Sequence, residues 1–272
     1  MSITTETPAP APARGLNALG DVSAHVLGVL ERGGADMSKL GVPAQPEPED
    51  GLWEDVAVPQ ARARRNMWRN SVLDASHDEY LPFRLDHLDE NQKPKTLENW
   101  LKSLVEAKKS GGRPATLNMI MTGNIGSGKT AGAITIGNEA AERGLWALFV
   151  KHATYLTWRR PDSAPRNLKA WEVRKQFVEC DVLILDELCG EMDMTATEFA
   201  RRETIDLIES RIASGRPTAY TTNLRSRRQP GSQGMGVVDI LGERLLSRLE
   251  SSAHLVKVVG PDRRKPAKPL DW

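Results

Sequence analysis

A glycine-rich segment that ends in Lys and Thr, residues 123–130, carries the residue types of a phosphate-binding loop. It matches the pattern G-x-x-x-x-G-K-[ST] at every fixed position. Glycines let the backbone wrap around phosphates, backbone N–H groups at a helix start supply partial positive charge, and Lys129 adds a full charge. The hydroxyl of Thr130 suits Mg²⁺. An apolar segment ending at Met121 precedes the loop and an Ala- and Ile-rich segment follows it, which is the strand, loop and helix order in which the pattern binds phosphate.

Two adjacent acidic residues, Asp186 and Glu187, follow an apolar run that begins at Val182, and Asp186 lies 57 residues beyond Lys129. The run predicts a buried strand, and carboxylates at its end are costly unless they are used. Asp186 is predicted to hold a hydrated Mg²⁺, and Glu187 to polarise an attacking water as general base. The second acid favours nucleotide hydrolysis over phosphate transfer to the hydroxyl of a small molecule.

Two later segments add polar groups that fit the same chemistry. Asn223 follows the β-rich segment 218–222 and could orient the water with Glu187, although an Asn after a strand is also typical of a cap or turn. Arg244 and Arg248 are four residues apart and share one helical face. That face either presents an arginine to the γ-phosphate of a neighbouring subunit or forms ordinary ion pairs with local glutamates, and both interpretations stay open.

The elements that must position these groups alternate between apolar strands and amphipathic helices from Thr96 onward. Strands are predicted near residues 117–121, 146–150, 182–186, 218–222 and 255–259. This alternation predicts an α/β fold, with a parallel five-stranded sheet and helices on both faces. Only one strand and a short tail follow Arg248, so no C-terminal lid domain is expected.

Composition divides the rest of the chain. Residues 1–60 are Pro-rich and acidic, with one short amphipathic helix over residues 16–30, and are predicted to be a mobile, partly disordered extension that binds a partner. Whether that helix instead packs on the body of this protein stays open. Residues 61–95 form a basic helical connector, in which Trp68 either stacks on a nucleic-acid base or is anchored in a groove. Residues 96–265 contain the motifs, and residues 266–272 are a tail.

Overall charge and hydropathy exclude several classes of protein. Among the 272 residues, 37 Lys and Arg nearly balance 36 Asp and Glu, which excludes a polyelectrolyte or a nucleic-acid packager held by bulk charge. The longest apolar run is six residues, 145–150, against about 20 needed to cross a bilayer. The first residues lack the features of a secretory signal. A soluble, cytoplasmic protein with no membrane partner is expected.

Taken in order and spacing, the four motifs resemble those of the AAA+ ATPases of the DnaC/IstB group, which are bacterial and phage helicase loaders and their transposition-helper relatives. The resemblance covers about residues 77–265 and implies that residues 96–265 are an AAA+ ATPase domain with bound ATP and Mg²⁺. The chain departs from the usual pattern in the Ala-Gly-Ala that follows Thr130 and in the first 75 residues, which do not resemble a familiar loader head. The resemblance implies that Mg²⁺ is bound at Thr130 and Asp186 and that Glu187 and Asn223 take part in catalysis. It also implies that Arg248 is the trans-acting arginine finger, with Arg244 as the second candidate for that role. The implied Walker A loop consists of Gly123, Asn124, Ile125, Gly126, Ser127, Gly128, Lys129, Thr130 and Ala131.

The same resemblance implies a function. It predicts an ATPase, slow and stimulated by DNA or a partner, that forms a ring or spiral of identical subunits when ATP is bound. The N-terminal region would engage a hexameric replicative helicase, and the oligomer would load it onto single-stranded DNA in a bacterial cytoplasm, that of the host if the chain is phage-encoded. The alternatives are a transposition helper that binds duplex DNA, a P-loop kinase for a small molecule, and an adaptor that binds ATP without hydrolysing it.

Overall fold

The computed structural model describes residues 54–190, 197–228 and 235–264. The predicted helix over residues 16–30 and the tail from residue 266 therefore lie outside the described residues. Among the helices of the described ranges, none is long and apolar enough to cross a membrane.

The described chain alternates helices with short strands. The helices are α1 (Glu54–Asp74), α2 (Pro94–Ser110), α3 (Lys129–Glu142), α4 (His152–Trp158), α5 (Ala170–Glu179), α6 (Glu198–Ala213), α7 (Val237–Leu241) and α8 (Glu243–Ser251). The strands are β1 (Asn118–Thr122), β2 (Ala147–Lys151), β3 (Val182–Asp186), β4 (Thr218–Thr222) and β5 (Ala253–Lys257). Short 3₁₀ turns at Asp78–Tyr80, Leu85–His87 and Glu90–Gln92 connect α1 to α2, and a fourth at Pro165–Asn167 precedes α5.

The strands form one sheet in the order β2-β3-β4-β1-β5, and every neighbouring pair is parallel. The predicted parallel five-stranded α/β fold is confirmed. The predicted bounds of β3 and β4 agree with the structure, and β1 and β2 each lie one residue later than predicted. Strand β5 lies two residues earlier than predicted, because Ser252 already bonds to the start of β1: its carbonyl accepts the Asn118 N–H at 2.8 Å and its hydroxyl oxygen accepts the Leu117 N–H at 3.1 Å.

The pleat of the sheet separates two hydrophobic cores. In β3, Leu183 and Leu185 contribute to one core, whereas Val182 and Ile184 contribute to the other, as expected for successive side chains on opposite faces. The first core contains side chains of α4 to α8 and the second contains side chains of α1 to α3. Helices therefore cover both faces, and the carboxyl ends of all five strands meet at one edge.

Helix α1 packs on the sheet through Trp68. This indole is buried, and its Nε1–H donates to Asn138 Oδ1 of α3 at 2.8 Å. The Cβ that any other residue would add at Gly137 would lie 1.9 Å from the Trp68 ring, so the glycine makes room for it. Of the two interpretations that the sequence allowed, the structure supports a Trp anchored in a groove.

A buried arginine, Arg211, ties α6 to β4 and α5. Its guanidinium donates to Thr218 Oγ1 at 2.8 Å and to the carbonyls of Phe177 at 2.7 Å and Cys180 at 3.1 Å. A buried charge needs hydrogen bonds from several sides, and here neutral oxygens provide them. Arg211 therefore fixes the start of β4 relative to α5 and α6.

Candidate nucleotide-binding site

The glycine-rich loop lies between β1 and α3 at the carboxyl edge of the sheet, as predicted. Gly123 and Gly128 have positive φ angles of 153° and 96°, a region that favours glycine. A Cβ at Gly123 would lie 2.0 Å from the carbonyl oxygen of Val258. Gly128 caps α3, so the unsatisfied N–H groups of the first helical turn open onto the loop.

Lys129 is the first residue of α3, and its side chain folds back against the start of the loop. Its ammonium donates to the carbonyl of Gly123 at 2.9 Å and to that of Asn124 at 2.7 Å. Burial lowers the pKa of Lys129, while the nearby Asp186 carboxylate opposes this shift. The loop therefore holds a partly desolvated cation at its centre.

The loop fits the triphosphate of a nucleotide. Ser127 is fully buried, and its hydroxyl oxygen has no hydrogen-bond partner among the described residues. An orphaned buried hydroxyl is costly, and it is a donor that a phosphate oxygen can satisfy. Together with the Lys129 ammonium and the open helix start, it gives the loop the donors that a polyphosphate needs.

A hydroxyl and a carboxylate meet beside the loop. Thr130 Oγ1 lies 3.0 Å from Asp186 Oδ1 and 3.3 Å from Oδ2, and Asp186 is buried at the end of β3. Burial raises the pKa of the Asp186 carboxyl, while hydrogen bonds from Thr221 and Thr130 oppose that shift. Mg²⁺ is commonly held through one or two carboxylates together with waters and the oxygens of a bound phosphate, so Thr130 and Asp186 fit the two protein ligands predicted for it. Bound there, Mg²⁺ would neutralise charge on the phosphates.

Thr221 is a site residue that the sequence analysis missed. Its hydroxyl donates to Asp186 Oδ1 at 2.5 Å and accepts the backbone N–H of Glu187 at 2.9 Å. It therefore fixes both acidic residues from the neighbouring strand. The sequence feature that indicates this residue is the Thr-Thr-Asn segment at the end of β4, in which only the Asn was predicted to have a role in the site.

Glu187 lies in the turn directly after β3. Its φ angle is 56°, in the left-handed region that costs a non-glycine residue about 1 kcal/mol, and its side chain is exposed. The end of β4 holds this turn, because Leu188 N–H donates to the Thr221 carbonyl at 2.8 Å and Thr222 Oγ1 donates to the Leu188 carbonyl at 2.9 Å. The turn directs the Glu187 carboxylate into solvent at the edge that carries the loop, where a water could be activated.

A buried histidine, His152, holds the turn that contains Glu187 by a hydrogen bond. His152 Nδ1 accepts the backbone N–H of Cys189 at 3.3 Å, and its Nε2 lies 2.7 Å from Thr204 Oγ1. Because Thr204 Oγ1 donates to the Ala200 carbonyl at 2.7 Å, Nε2 carries the proton of a neutral imidazole. Burial lowers the pKa of His152 to about 4. The histidine thus links the Glu187 turn to α6.

This network predicts a pH dependence of stability. An unfolded histidine has a pKa of about 6.5, so between pH 6.5 and 4 the unfolded chain binds a proton that the folded chain does not. The free energy of unfolding should therefore fall as the pH decreases through this window, by about 2 kcal/mol at pH 5. Urea unfolding at pH 7.5 and pH 5 measures it. In His152→Asn, whose amide cannot titrate, this contribution should be missing; an identical pH dependence in the variant would contradict the assignment.

The remaining predicted residues lie at the surface. Asn223 is exposed directly beyond β4, the strand between β3 and β1. Arg244 and Arg248 are exposed on α8, which packs against α6, α7 and β5. Arg248 forms an ion pair with Glu209 of α6. Both arginines are thus exposed, and Arg248 has one of the local ion pairs that the sequence allowed.

Two surface arginines near the ends of the described chain segments, Arg227 and Arg263, have acidic partners within the chain. Arg227 pairs with Glu243 at 2.9 Å and with Glu250 at 3.5 Å, and Arg263 pairs with Asp89. These ion pairs favour structural roles for the two arginines.

Comparison with known proteins places most of the described chain in one family. The profile of the family described as IstB-like ATP binding protein matches residues 96–270. A search of curated protein sequences found no match.

Solved structures share the fold. A crystal structure of the DnaC helicase loader has 18% identity and a TM-score of 0.51, over 66% of this chain and 99% of that chain. A crystal structure of DnaI has 22% identity and a TM-score of 0.50, over 68% of this chain and 93% of that chain. AMPPCP-bound DnaA from Aquifex aeolicus has 17% identity and a TM-score of 0.51, over 67% of this chain and 52% of that chain. The chain thus spans about half the length of that DnaA.

Proposed function

The chain belongs to the family of IstB-like ATP-binding proteins, and from this premise we propose that it is an AAA+ ATPase that loads a hexameric replicative helicase onto single-stranded DNA. The observation that carries the ATPase part is the contact between the loop hydroxyl of Thr130 and the Asp186 carboxylate at 3.0 Å. This contact supports the proposal because it brings the proposed phosphate-binding loop next to the carboxylate proposed to bind Mg²⁺. Glu187, beside them, would activate the attacking water, with Asn223 helping to orient it.

The loading role is supported by the relatives. The similarity to DnaC, a helicase loader, extends over 99% of that chain, and the similarity to DnaI over 93%. We propose that ATP binding assembles copies of this chain into a ring or spiral around single-stranded DNA, and that the N-terminal region engages the helicase. ATP hydrolysis would be slow in the free protein and faster with DNA or helicase. It would then release the loader from the helicase.

A loading assay tests this role. A closed helicase ring can encircle a single-stranded circle only if the ring is opened, because the circle has no end to thread. We expect release of a labelled oligonucleotide annealed to such a circle to require helicase, this chain and ATP together. Helicase activity that is the same with and without this chain would contradict the loading role.

The family match also favours a second candidate, a transposition helper. Such an ATPase would use the same Thr130, Asp186 and Glu187 chemistry but would bind duplex DNA. Preference for duplex over single-stranded DNA, with filaments visible by electron microscopy, would favour it over the loader.

If one subunit completes the site of another, Arg248→Ala should lower ATP turnover by about 10³-fold, and Arg244→Ala should lower it less. Steady-state phosphate release measures this. Mixing Arg248→Ala with Lys129→Ala should restore part of the activity, because intact nucleotide sites then meet intact arginines.

Glu209→Gln provides the matched control. It removes the Arg248 ion pair and keeps both arginines, and an exposed pair contributes at most about 1 kcal/mol. Its turnover should stay near that of the wild type. Wild-type ATP turnover in both Arg248→Ala and Arg244→Ala would exclude a role for these arginines in the nucleotide site of a neighbouring subunit.

A further inference from the structure

Three consecutive carbonyls of the phosphate-binding loop are held from outside the loop. The Gly126 carbonyl accepts the backbone N–H of Arg263 at 3.0 Å, and the Ser127 carbonyl accepts Arg263 Nε–H at 3.2 Å. The Gly128 carbonyl accepts Gln92 Nε2–H at 3.0 Å. Two residues far from the loop in sequence thus bind its outer side.

Asp89 joins these two residues. Its carboxylate accepts a hydrogen bond from the Arg263 guanidinium, and its backbone N–H donates to Gln92 Oε1 at 3.3 Å. Gln92 is buried, with both ends of its amide hydrogen-bonded. Arg263 lies in the segment that follows β5, and Asp89 and Gln92 lie at the last 3₁₀ turn before α2. We call Asp89, Gln92 and Arg263 the loop clamp.

The clamp has a direct consequence for the inner side of the loop. A trans peptide group is planar, and its C=O and N–H point in opposite directions. Arg263 binds the Ser127 carbonyl, and the Gly128 carbonyl is bound both by Gln92 and by the helical N–H of Gly132 at 3.0 Å. The N–H groups of Gly128 and Lys129 therefore face the opposite way. Those N–H groups lie at the start of α3, where the intrahelical ladder leaves them free for an anion.

We propose that Gln92 and Arg263, joined by Asp89, are positioning residues of the nucleotide site, which set the orientation of the Gly128 and Lys129 N–H groups toward the phosphates. The inference rests on the proposed placement of the phosphates in this loop. Without the clamp the Ser127 carbonyl would lose the Arg263 hydrogen bond, and the Gly128 carbonyl would keep only the helical hydrogen bond from the Gly132 N–H. Nucleotide binding would then have to order the Ser127–Gly128 peptide group.

Nucleotide titration of the full-length protein in Mg²⁺ tests the clamp. Gln92→Met keeps the length of the side chain and removes its donor, and Arg263→Lys keeps the charge and removes the Nε–H. Both variants should raise the Kd for ATP and for ADP by about tenfold, since the loop N–H groups bind the phosphates that the two nucleotides share. The double variant should weaken binding by less than the product of the single effects, because both act on one network.

Measuring ATP turnover in the two variants distinguishes a positioning role of the clamp from general damage to the structure. At saturating ATP, kcat in both variants should stay within about twofold of the wild type, because Glu187 and Asp186 are unchanged. Asn91→Met is the matched control: Asn91 is exposed beside Gln92, and the contact it makes with Asp89 is through its backbone N–H. Its affinity for both nucleotides should equal that of the wild type.

Three results would overturn the proposed role of the clamp. Unchanged affinity in Gln92→Met and Arg263→Lys, with binding lost in Lys129→Ala, would remove the clamp and leave the phosphate site in place. An equal loss of affinity and kcat, together with a lower melting temperature, would show general structural damage. Binding that survives in Lys129→Ala would refute the phosphate placement itself, and the clamp with it.

Discussion

Replacing Glu187 with Gln is expected to abolish most ATP turnover while leaving ATP binding intact. The two side chains have the same length, so the turn that Thr221 and Leu188 hold should persist. The amide cannot accept a proton from water, and loss of a general base costs about 10² to 10⁴ in rate. Phosphate release under saturating ATP and a separate titration of ATP affinity measure the two quantities.

The control for this variant is Glu106→Gln. Glu106 is exposed on α2, and the substitution removes the same charge away from the loop. It should hydrolyse ATP at the wild-type rate. If Glu187→Gln did so as well, Glu187 would not be the base.

Replacing Lys129 with Ala is expected to remove nucleotide binding. The ammonium is the one full positive charge placed by the loop itself, and charge-assisted hydrogen bonds contribute about 1.5–3 kcal/mol each. Loss of two such bonds to phosphate corresponds to roughly 100-fold or more in affinity. Titration with ATP in Mg²⁺, by calorimetry or with a fluorescent analogue, measures the loss.

The fold should tolerate this change. Burial already opposes the charge of Lys129, as its lowered pKa shows, so its removal relieves a desolvation cost. Without nucleotide, the melting temperature of Lys129→Ala should stay close to that of the wild type, and Lys129→Met, which keeps most of the volume, should behave alike. ATP affinity equal to that of the wild type in both variants would exclude the loop as the phosphate site.

The sequence was sufficient for those parts of the site that are local. The loop at 123–130 and the acids at the end of β3 are contiguous motifs, and the alternation of apolar segments predicts the sheet. The register of β5 was not predictable from its apolar run, because a contact between Ser252 and the start of β1 sets where the strand begins.

The missed residues act through contacts between distant segments. Thr221 bonds to Asp186 across 35 positions, His152 to Thr204 across 52, and Arg263 to Asp89 across 174. Each residue type is common, and its role appears only when the sheet brings the partners together. Trp68 shows the same dependence: its two interpretations were separated only by Asn138, 70 residues away.

The central claim is that this ATPase acts on a replicative helicase. The most direct measurement is the native mass of the purified protein mixed with the helicase of its host, with and without ATP. The control is a double variant, Leu19→Asp with Leu27→Asp, which would disrupt the apolar face of the predicted N-terminal helix. A stable complex that the double variant weakens is the expected result. No complex at micromolar concentrations, in either nucleotide condition, would contradict the claim and favour the transposition helper.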